Sequence, residues 1–298
     1  LETLALGEAF EERVLDAFVH SRLQGRETAP CYRCDAGLRL PALFGFADRL
    51  GAAWVATGHY AQIHKDVASD LVHVLPASDL AQDQSWYLTA LTQDQLRRML
   101  TPLGGIPVEM VRRLGTEFGL PVDELAAGRP TGGCLAGDML QGEVPYIEGK
   151  TPPSLRVSGI IKTSDNHTVG EHEGVFRFRV GQRPGVQLGV PEPDSYRVLK
   201  LDPRAAEITV APKSELAQGR FAASRAQWMQ PVDRLRALRC AVRITAHGGD
   251  VPCVVHHFED GALHVHLEKP QNGVAPGQPV AFYLKGELLG GAWIERVL

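Results

Sequence analysis

Two cysteines three residues apart are where chemistry would begin in this 298-residue chain. Cys31 and Cys34 form a Cys-x-x-Cys pair, preceded by Pro30 and enclosing Arg33. Such a pair is half of a zinc site if other ligands join it, and Cys134 is the candidate third. It is also a redox dithiol pattern, although a thioredoxin-like pair sits at a helix start directly after a strand, which the preceding helix and loop do not match. Two small buried hydrophobes are the plainest alternative. Pro30 and Arg33 place the pair in a loop, and a cationic neighbour favours thiolate. Cys134 follows Thr131-Gly132-Gly133, where glycines let backbone N–H groups face a ligand or a sulfur anion; a structural loop cysteine fits equally. Cys240 and Cys253 fall on strands that should face a core and receive no role. Gly58-His59, after a short apolar run, suits nucleotide binding or carbonyl polarisation, or a structural histidine. Asp83 before Gln84-Ser85 is either a helix N-cap or a ligand holder at that terminus.

The elements that must position these residues change character along the chain. Residues 1–148 read as α/β: a short strand over Leu1–Leu6, then a helix over Glu8–Leu23 with Phe10, Val14, Ala17 and Phe18 on one stripe. A second helix runs from about Ala36 to Leu50, with Leu40, Leu43, Phe44 and Ala47 on one face and Gly51 closing it. Trp54–Thr57 is a short buried strand that delivers Gly58, His59 and Tyr60 at its carboxyl end, where parallel sheets present ligands. Leu71–Leu75 hairpins with Tyr60–His64. Helices are predicted over 84–91, 93–100, with Thr92 as N-cap, and 107–118. A Gly/Pro-rich loop over 129–137 carries Cys134. Residues 149–214 become β-rich, with an alternating strand over 174–180 and a pair, 196–202 and 207–210, around Pro203. Residues 215–298 hold evenly spaced short strands with Gly and Pro between them, the pattern of a small barrel. The fold class is therefore α/β plus β: a truncated parallel-sheet domain, a small central β-rich domain and a C-terminal β-barrel.

Composition narrows the function classes. The length suggests about two domains, or three small ones, at roughly 150 residues each. A net charge of −4 excludes a histone-like binder. Five cysteines do not make a disulfide scaffold. The apolar runs are too short to span a membrane, and no signal peptide is evident, so a cytoplasmic protein without a membrane partner is expected. Locally the charge is uneven. Arg220, Arg225, Arg234, Arg236, Arg239 and Arg243 are accompanied by the single acid Asp233 and by Trp228. Arg177, Arg179 and Arg183 make a second cluster. Several cations on one surface suit a phosphate backbone.

Taken in order, short motifs resemble those of the bacterial tRNA-specific 2-thiouridylases. Pro30-Cys31-Tyr32-Arg33-Cys34-Asp35 resembles that family's Asn-Pro-x-x-x-Cys-Asn segment. Ala56-Thr57-Gly58-His59-Tyr60 matches its Ala-Thr-Gly-His-Tyr, and Asp83-Gln84-Ser85-Trp86-Tyr87-Leu88 its Asp-Gln-Ser-Tyr-Phe-Leu. Gly170-Glu171-His172-Glu173-Gly174, Gly181-Gln182-Arg183-Pro184-Gly185 and Pro276-Gly277-Gln278-Pro279 continue the match nearly end to end.

The resemblance implies an adenine nucleotide alpha hydrolase-like first domain and ATP-dependent transfer of persulfide sulfur to the 2-position of the wobble uridine of tRNA. ATP with Mg2+ would adenylate the uridine oxygen. Cys134 would carry the persulfide, and Cys34 would be its partner, leaving a Cys34–Cys134 disulfide to be reduced. Gly58 would contact the nucleotide. Ala29, Pro30 and Cys31 would lie near the target base, and His59, Gln82, Asp83, Gln84 and Gln278 would contact tRNA. Partners would be tRNA and a persulfide sulfur donor protein, with the chain itself a monomer and no resident metal. The family's Ser-Gly-Gly-x-Asp-Ser pyrophosphate loop is not in this sequence and would lie upstream of Leu1. Gln82 replaces a family lysine, Asp35 an asparagine, and Thr245-Ala246 an Arg-Tyr pair. The alternatives are a non-catalytic tRNA-binding remnant and a zinc-stabilised structural protein.

Overall fold

The computed structural model of the chain describes residues 1–122 and 142–298. The apolar stripe from Phe10 to Phe18 produces a helical run over 7–23, widened by one stretch of π-helical turns at Glu11–Asp16. Val14, Leu15, Phe18 and Val19 are its buried face. Leu1–Leu6, expected as a strand, has no regular structure.

The Cys-x-x-Cys pair is helical rather than in a loop, because Pro30 opens the helix Pro30–Cys34 instead of ending a turn. A proline suits a first helical position, where no N–H partner is needed. Helix continues without a break through Arg49, and Gly51 at φ +66° stops it. The strand expected over 54–57 shrinks to β1 (Val55–Ala56), with Trp54 58% exposed. β2 (Ala61–Lys65) and β3 (Val72–Pro76) form the expected antiparallel hairpin. The helices expected over 84–91 and 93–100 are single turns, Ser85–Leu88 and Gln93–Leu96. The second keeps its Thr92 N-cap and a full capping box with Gln95. It stops because Met99–Leu100 becomes β4, which pairs in parallel with β1. Tertiary pairing here overrides a helical sequence pattern.

The central sheet contains β5 (Gly159–Thr163), β6 (Thr168–His172), β7 (Tyr196–Asp202) and β8 (Glu207–Pro212) in the order β6-β5-β8-β7. The β5–β8 pair is parallel. Residues 174–180, which alternate like a strand, do not form one. Gly174 sits at φ +154°, its N–H donates to His172 Nδ1 at 3.0 Å, and Val175–Arg177 makes a short 3-10 turn. Val175, Phe176 and Phe178 are all buried by it.

The last third is a closed barrel. β9 (Gln218–Trp228), β10 (Leu238–Arg243), β11 (Val251–His257), β12 (Leu263–Gln271), β13 (Pro279–Leu284) and β14 (Glu287–Val297) run in the order β13-β10-β11-β12-β9-β14, and β13 also pairs with β14. Its interior is filled by Phe221, Val242, Val255, Val265, Phe282 and Ile294. The β2–β3 hairpin joins the outside of this barrel, where Leu288 is the register partner of Val74. His73 Nδ1 lies 2.9 Å from Glu287 across the same seam.

A second core ties the α/β region to the barrel. Tyr32, Leu40, Phe44, Trp86 and Met99 pack with Tyr283 and Leu288. Glu27 ties in the central region as well. Its backbone N–H donates to Pro276 O at 2.7 Å, and its buried carboxylate accepts both Arg179 Nε and Nη2, at 3.1 and 2.8 Å. Gly277 (φ +92°) permits that approach, since a Cβ there would sit 2.3 Å from Glu27 O.

Candidate active site

Helical spacing decides which cysteine faces what. Tyr32, Asp35 and Leu38 are the buried side of the helical run over 30–49, leaving Cys31 exposed and Cys34 half-buried. Tyr32 anchors the run between the α/β region and the barrel. Its ring stands edge-on to Trp86 at 5.1 Å and to Trp293 at 5.3 Å, and its hydroxyl accepts from Thr89 Oγ1 at 2.7 Å. Burial, with the charges of Cys31 and Asp35 beside it, pushes the Tyr87 phenol up.

Next to Cys34, Asp35 turns inward and pairs with Arg39 Nε at 2.5 Å. His59, buried at the end of β1, meets this pair. Arg39 Nη2 lies 3.3 Å from His59 Nε2, Asp35 Oδ2 lies 3.5 Å from the same atom, and Thr57 Oγ1 lies 2.9 Å from Nδ1. A guanidinium only donates, so Nε2 accepts and Nδ1–H donates to Thr57. The motif histidine and the helix of Cys34 are thereby locked together. The sequence showed both residues but not this contact. The Asp35–Arg39 spacing of four is the one signal that would point to it, given that the helix starts at Pro30 rather than near Ala36.

The other expected residues separate into surface and interior. Ala29 and Pro30, half-buried, start the Cys34 helix. Gln82 is exposed on its turn. Gln84 clamps Tyr60, its Oε1 accepting from Tyr60 N at 3.0 Å and its own N–H donating to Tyr60 O at 2.8 Å. Gln278 accepts from Ala275 N at 2.9 Å within the turn that holds Glu27. Asp83, 4% exposed, is directed into the protein. Its oxygens accept from Ala77 N and Ser85 N at 3.0 Å each, from Ser85 Oγ at 2.8 Å and from Arg243 Nη1 at 2.5 Å. Tyr283, whose phenol burial pushes up, bonds Ser85 Oγ at 2.9 Å and lies under the Arg243 guanidinium, 4.4 Å from the ring centroid. Cys134 lies outside the described residues, as does the whole stretch 129–137 expected as a loop. No disulfide joins the four described cysteines.

The cationic surface expected on the barrel is smaller than the sequence suggested. Arg243, 8% exposed, is held by Asp83 and by Asp250 at 2.7 Å. Arg236 Nε lies 3.6 Å from Asp233, while Arg220, Arg225, Arg234 and Arg239 are exposed. In the second cluster, Arg177 pairs with Glu148 and Glu173, and Arg179 pairs with Glu27.

Gly58 is exposed at the end of β1, and a Cβ there would meet nothing nearer than Leu103 at 4.0 Å, so a ring or ribose has room to approach. A triphosphate needs several converging backbone N–H groups at a helix start. The helical run that carries Cys34 begins at Pro30, which has no N–H, and no glycine-rich strand-to-helix turn is present among the described residues. These residues fit the nucleoside end of ATP and not its phosphates. Among the described residues no three His, Cys, Asp or Glu side chains are grouped to hold a metal ion, and no helix is long and apolar enough to cross a membrane.

A helical segment and parallel strand pair, a small mixed sheet and a closed barrel, with two cysteines and a buried histidine at the first junction, define a three-part α/β-plus-barrel architecture. Three family models match in that order: a tRNA methyl transferase HUP domain over residues 1–129, a tRNA methyl transferase PRC-barrel domain over 147–212, and an aminomethyltransferase beta-barrel domain over 218–294. The chain is 35% identical over 291 residues to the tRNA-specific 2-thiouridylase MnmA of Geobacter metallireducens, covering 98% of this chain and 77% of that protein. It is 35% identical to the MnmA of Geotalea uraniireducens, with 98% and 75% covered, and 30% identical to that of Magnetococcus marinus, with 96% and 77% covered. The chain belongs to the tRNA-specific 2-thiouridylase family.

Proposed function

We propose that this protein transfers persulfide sulfur to the 2-position of the wobble uridine of tRNA, with Cys134 as the persulfide carrier and Cys34 as the second thiol. The observation that carries the assignment is the placement of Cys34. It lies half-buried on a helix wedged between the α/β region and the barrel, one residue from the Asp35–Arg39–His59 lock. An RNA lying on the barrel therefore reaches a thiol whose helix is fixed against movement.

In this reaction the Cys34 thiolate attacks the Cys134 sulfur of the Cys134–S–SH persulfide. The S–S bond of the persulfide breaks, its terminal sulfur leaves as hydrosulfide, and a Cys34–Cys134 disulfide forms; the hydrosulfide adds to uridine C2 and the C2–O bond breaks, the activated oxygen departing with AMP. An external thiol then reduces that disulfide, returning both cysteines. His59, buried and engaged on both ring nitrogens, orients the helix and takes no proton from the substrate. ATP with Mg2+, when bound, supplies activation of the uridine oxygen, which is otherwise a poor leaving group. Exposed Gly58 is the residue here that suits the nucleoside. tRNA and a persulfide donor protein are the partners, and the protein works as a cytoplasmic monomer.

The second reading is a tRNA-binding remnant without turnover. Sulfur transfer from a radiolabelled persulfide donor to a wobble-uridine tRNA tests both. The sulfurtransferase assignment expects incorporation that Cys34→Ser and Cys134→Ser abolish and Cys31→Ser leaves intact. Incorporation that survives Cys134→Ser refutes the assignment, and tRNA binding without any incorporation supports the remnant.

A further inference from the structure

We infer that the groove between the Cys34 helix and the barrel is a binding site for a backbone phosphate of the RNA, held by Arg33 and Arg225 over the face of Trp293. This rests on the assignment of tRNA as substrate. The groove encloses about 260 Å³, and Tyr32, Arg33, Arg225, Gln227 and Trp293 form its walls. Two separate elements bring the two arginines to it. Arg33 comes from the helix, with its guanidinium 5.2 Å from the centroid of the Trp293 ring. Arg225 comes from β9, where the register with β14 slips between Gly291 and Trp293. At that slip Arg225 takes φ +53°, a left-handed conformation that a non-glycine residue rarely adopts. A bulge of this kind re-aims a side chain out of the regular ladder, and here it directs an arginine at the groove.

The charges are left open. Burial lowers the Arg33 pKa, and the Arg225 charge lowers it further. Neither guanidinium has a carboxylate within ion-pair distance among the described residues. Glu295, whose charge Arg225 also feels, is held by Ser224 Oγ at 2.6 Å and Arg26 at 3.1 Å. Two cations converging on one groove repel each other until an anion lies between them, and guanidinium forks fit phosphate oxygens. Trp293 adds an aromatic face of the kind on which nucleotides stack. Gln227 is anchored by donating to Ala90 O at 2.6 Å, so this wall of the groove is fixed before the RNA arrives. Arg33 immediately precedes Cys34, so a phosphate gripped there holds the strand alongside the thiol. Arg33 and Arg225 are positioning residues in this scheme.

The test uses the full chain and a wobble-uridine tRNA transcript, with affinity measured across a potassium chloride series. Each neutralised phosphate contact contributes about one unit to the slope of log affinity against log salt. Arg33→Gln and Arg225→Gln should each reduce that slope by about 1 and the double variant by about 2, whereas Arg33→Lys and Arg225→Lys should keep it. Arg112→Gln, on the remote helix Val108–Glu117, is the control and should leave it unchanged. A parallel titration with inorganic phosphate separates an RNA site from a free-anion site. Wild-type slopes in correctly folded glutamine variants overturn the proposal, as does loss of inorganic phosphate binding with tRNA binding unaltered. A Cys34→Ser protein that loses sulfur transfer and keeps the wild-type slope leaves the groove standing. Wild-type slopes in Arg225→Gln with transfer intact remove the groove alone.

Discussion

Replacing Asp83 by asparagine should cost more stability than any other single polar substitution at the junction. Asp83 and Arg243 are buried partners 2.5 Å apart, from opposite sides of the seam between the α/β region and the barrel. Asparagine can still accept from Ala77 N and Ser85 N, but its amide then faces the guanidinium donor with a second donor. Breaking a buried ion pair from one side costs about 3–5 kcal/mol, because the remaining charge is stranded. Arg243 keeps Asp250 at 2.7 Å, which places the expectation at the lower end, about 3 kcal/mol. Trp86 and Trp293 both pack on Tyr32 at this junction, so their fluorescence follows its unfolding. With a urea dependence of about 3 kcal/mol per molar, the midpoint should fall by about 1 M. Asp83→Asn combined with Arg243→Met should be less destabilised than the two singles added together. A midpoint within about 0.2 M of wild type would refute the view that this pair holds the two parts together.

Three further outcomes are expected. Burial lowers the His172 pKa, and because Gly174 N–H donates to its Nδ1, its Nε2–H donates to Ala206 O at 3.1 Å. The unfolded chain therefore binds a proton that the folded chain resists, so stability should fall as pH drops below about 6.5 and stay level above it. His257 and His266 bias the protein in the same direction, so urea midpoints of wild type and His172→Gln at pH 5.5 and 7.5 isolate the His172 share; an equal pH dependence in both proteins counts against it. Mg-ATP should bind the 298-residue chain too weakly for calorimetry at micromolar protein, and micromolar affinity would show that a phosphate cradle was overlooked. Cys240 and Cys253 are register partners with sulfurs 3.6 Å apart, so diamide should join them into a disulfide that peptide mapping detects as a linked pair; a persistently reduced pair under conditions that modify Cys31 would contradict the geometry.

Local periodicity carried the parts of the fold that local periodicity controls. The stripe of the first helix, the hairpin at 61–76 and the alternation of the barrel strands were all legible, since one buried face repeating at 3.6 or 2 residues leaves its mark on the sequence. Two readings failed where a single residue served a different purpose. Pro30 looked like a turn and instead opens a helix, and Gly174 precedes an alternating stretch yet breaks it with a left-handed backbone. The candidate site was legible as motifs but not as contacts. Arg243 stood in a run of arginines and looked like part of an RNA-facing surface; its partner Asp83 is 160 residues away, and no spacing rule reveals such a pair. The burial of Glu27 between three parts of the chain was equally invisible, because an isolated glutamate reads as a surface residue.

The seam between the β2–β3 hairpin and β14 also bears on how the protein is made. His73 meets Glu287 across 214 residues of intervening sequence. At about 5–20 residues per second, a ribosome takes roughly 10 to 40 seconds to cover that distance. Through that interval the edge of β3 that later meets β14 has no strand beside it, although Val72 and Val74 already have Trp86, Leu88 and Met99 to pack on and Gln93 to bond the Val72 backbone. A nascent chain in this state offers an open strand edge to any neighbour on the same polysome. That edge of β3 therefore stays open until the last strands of the barrel emerge, and slower translation of the central region would lengthen its exposure.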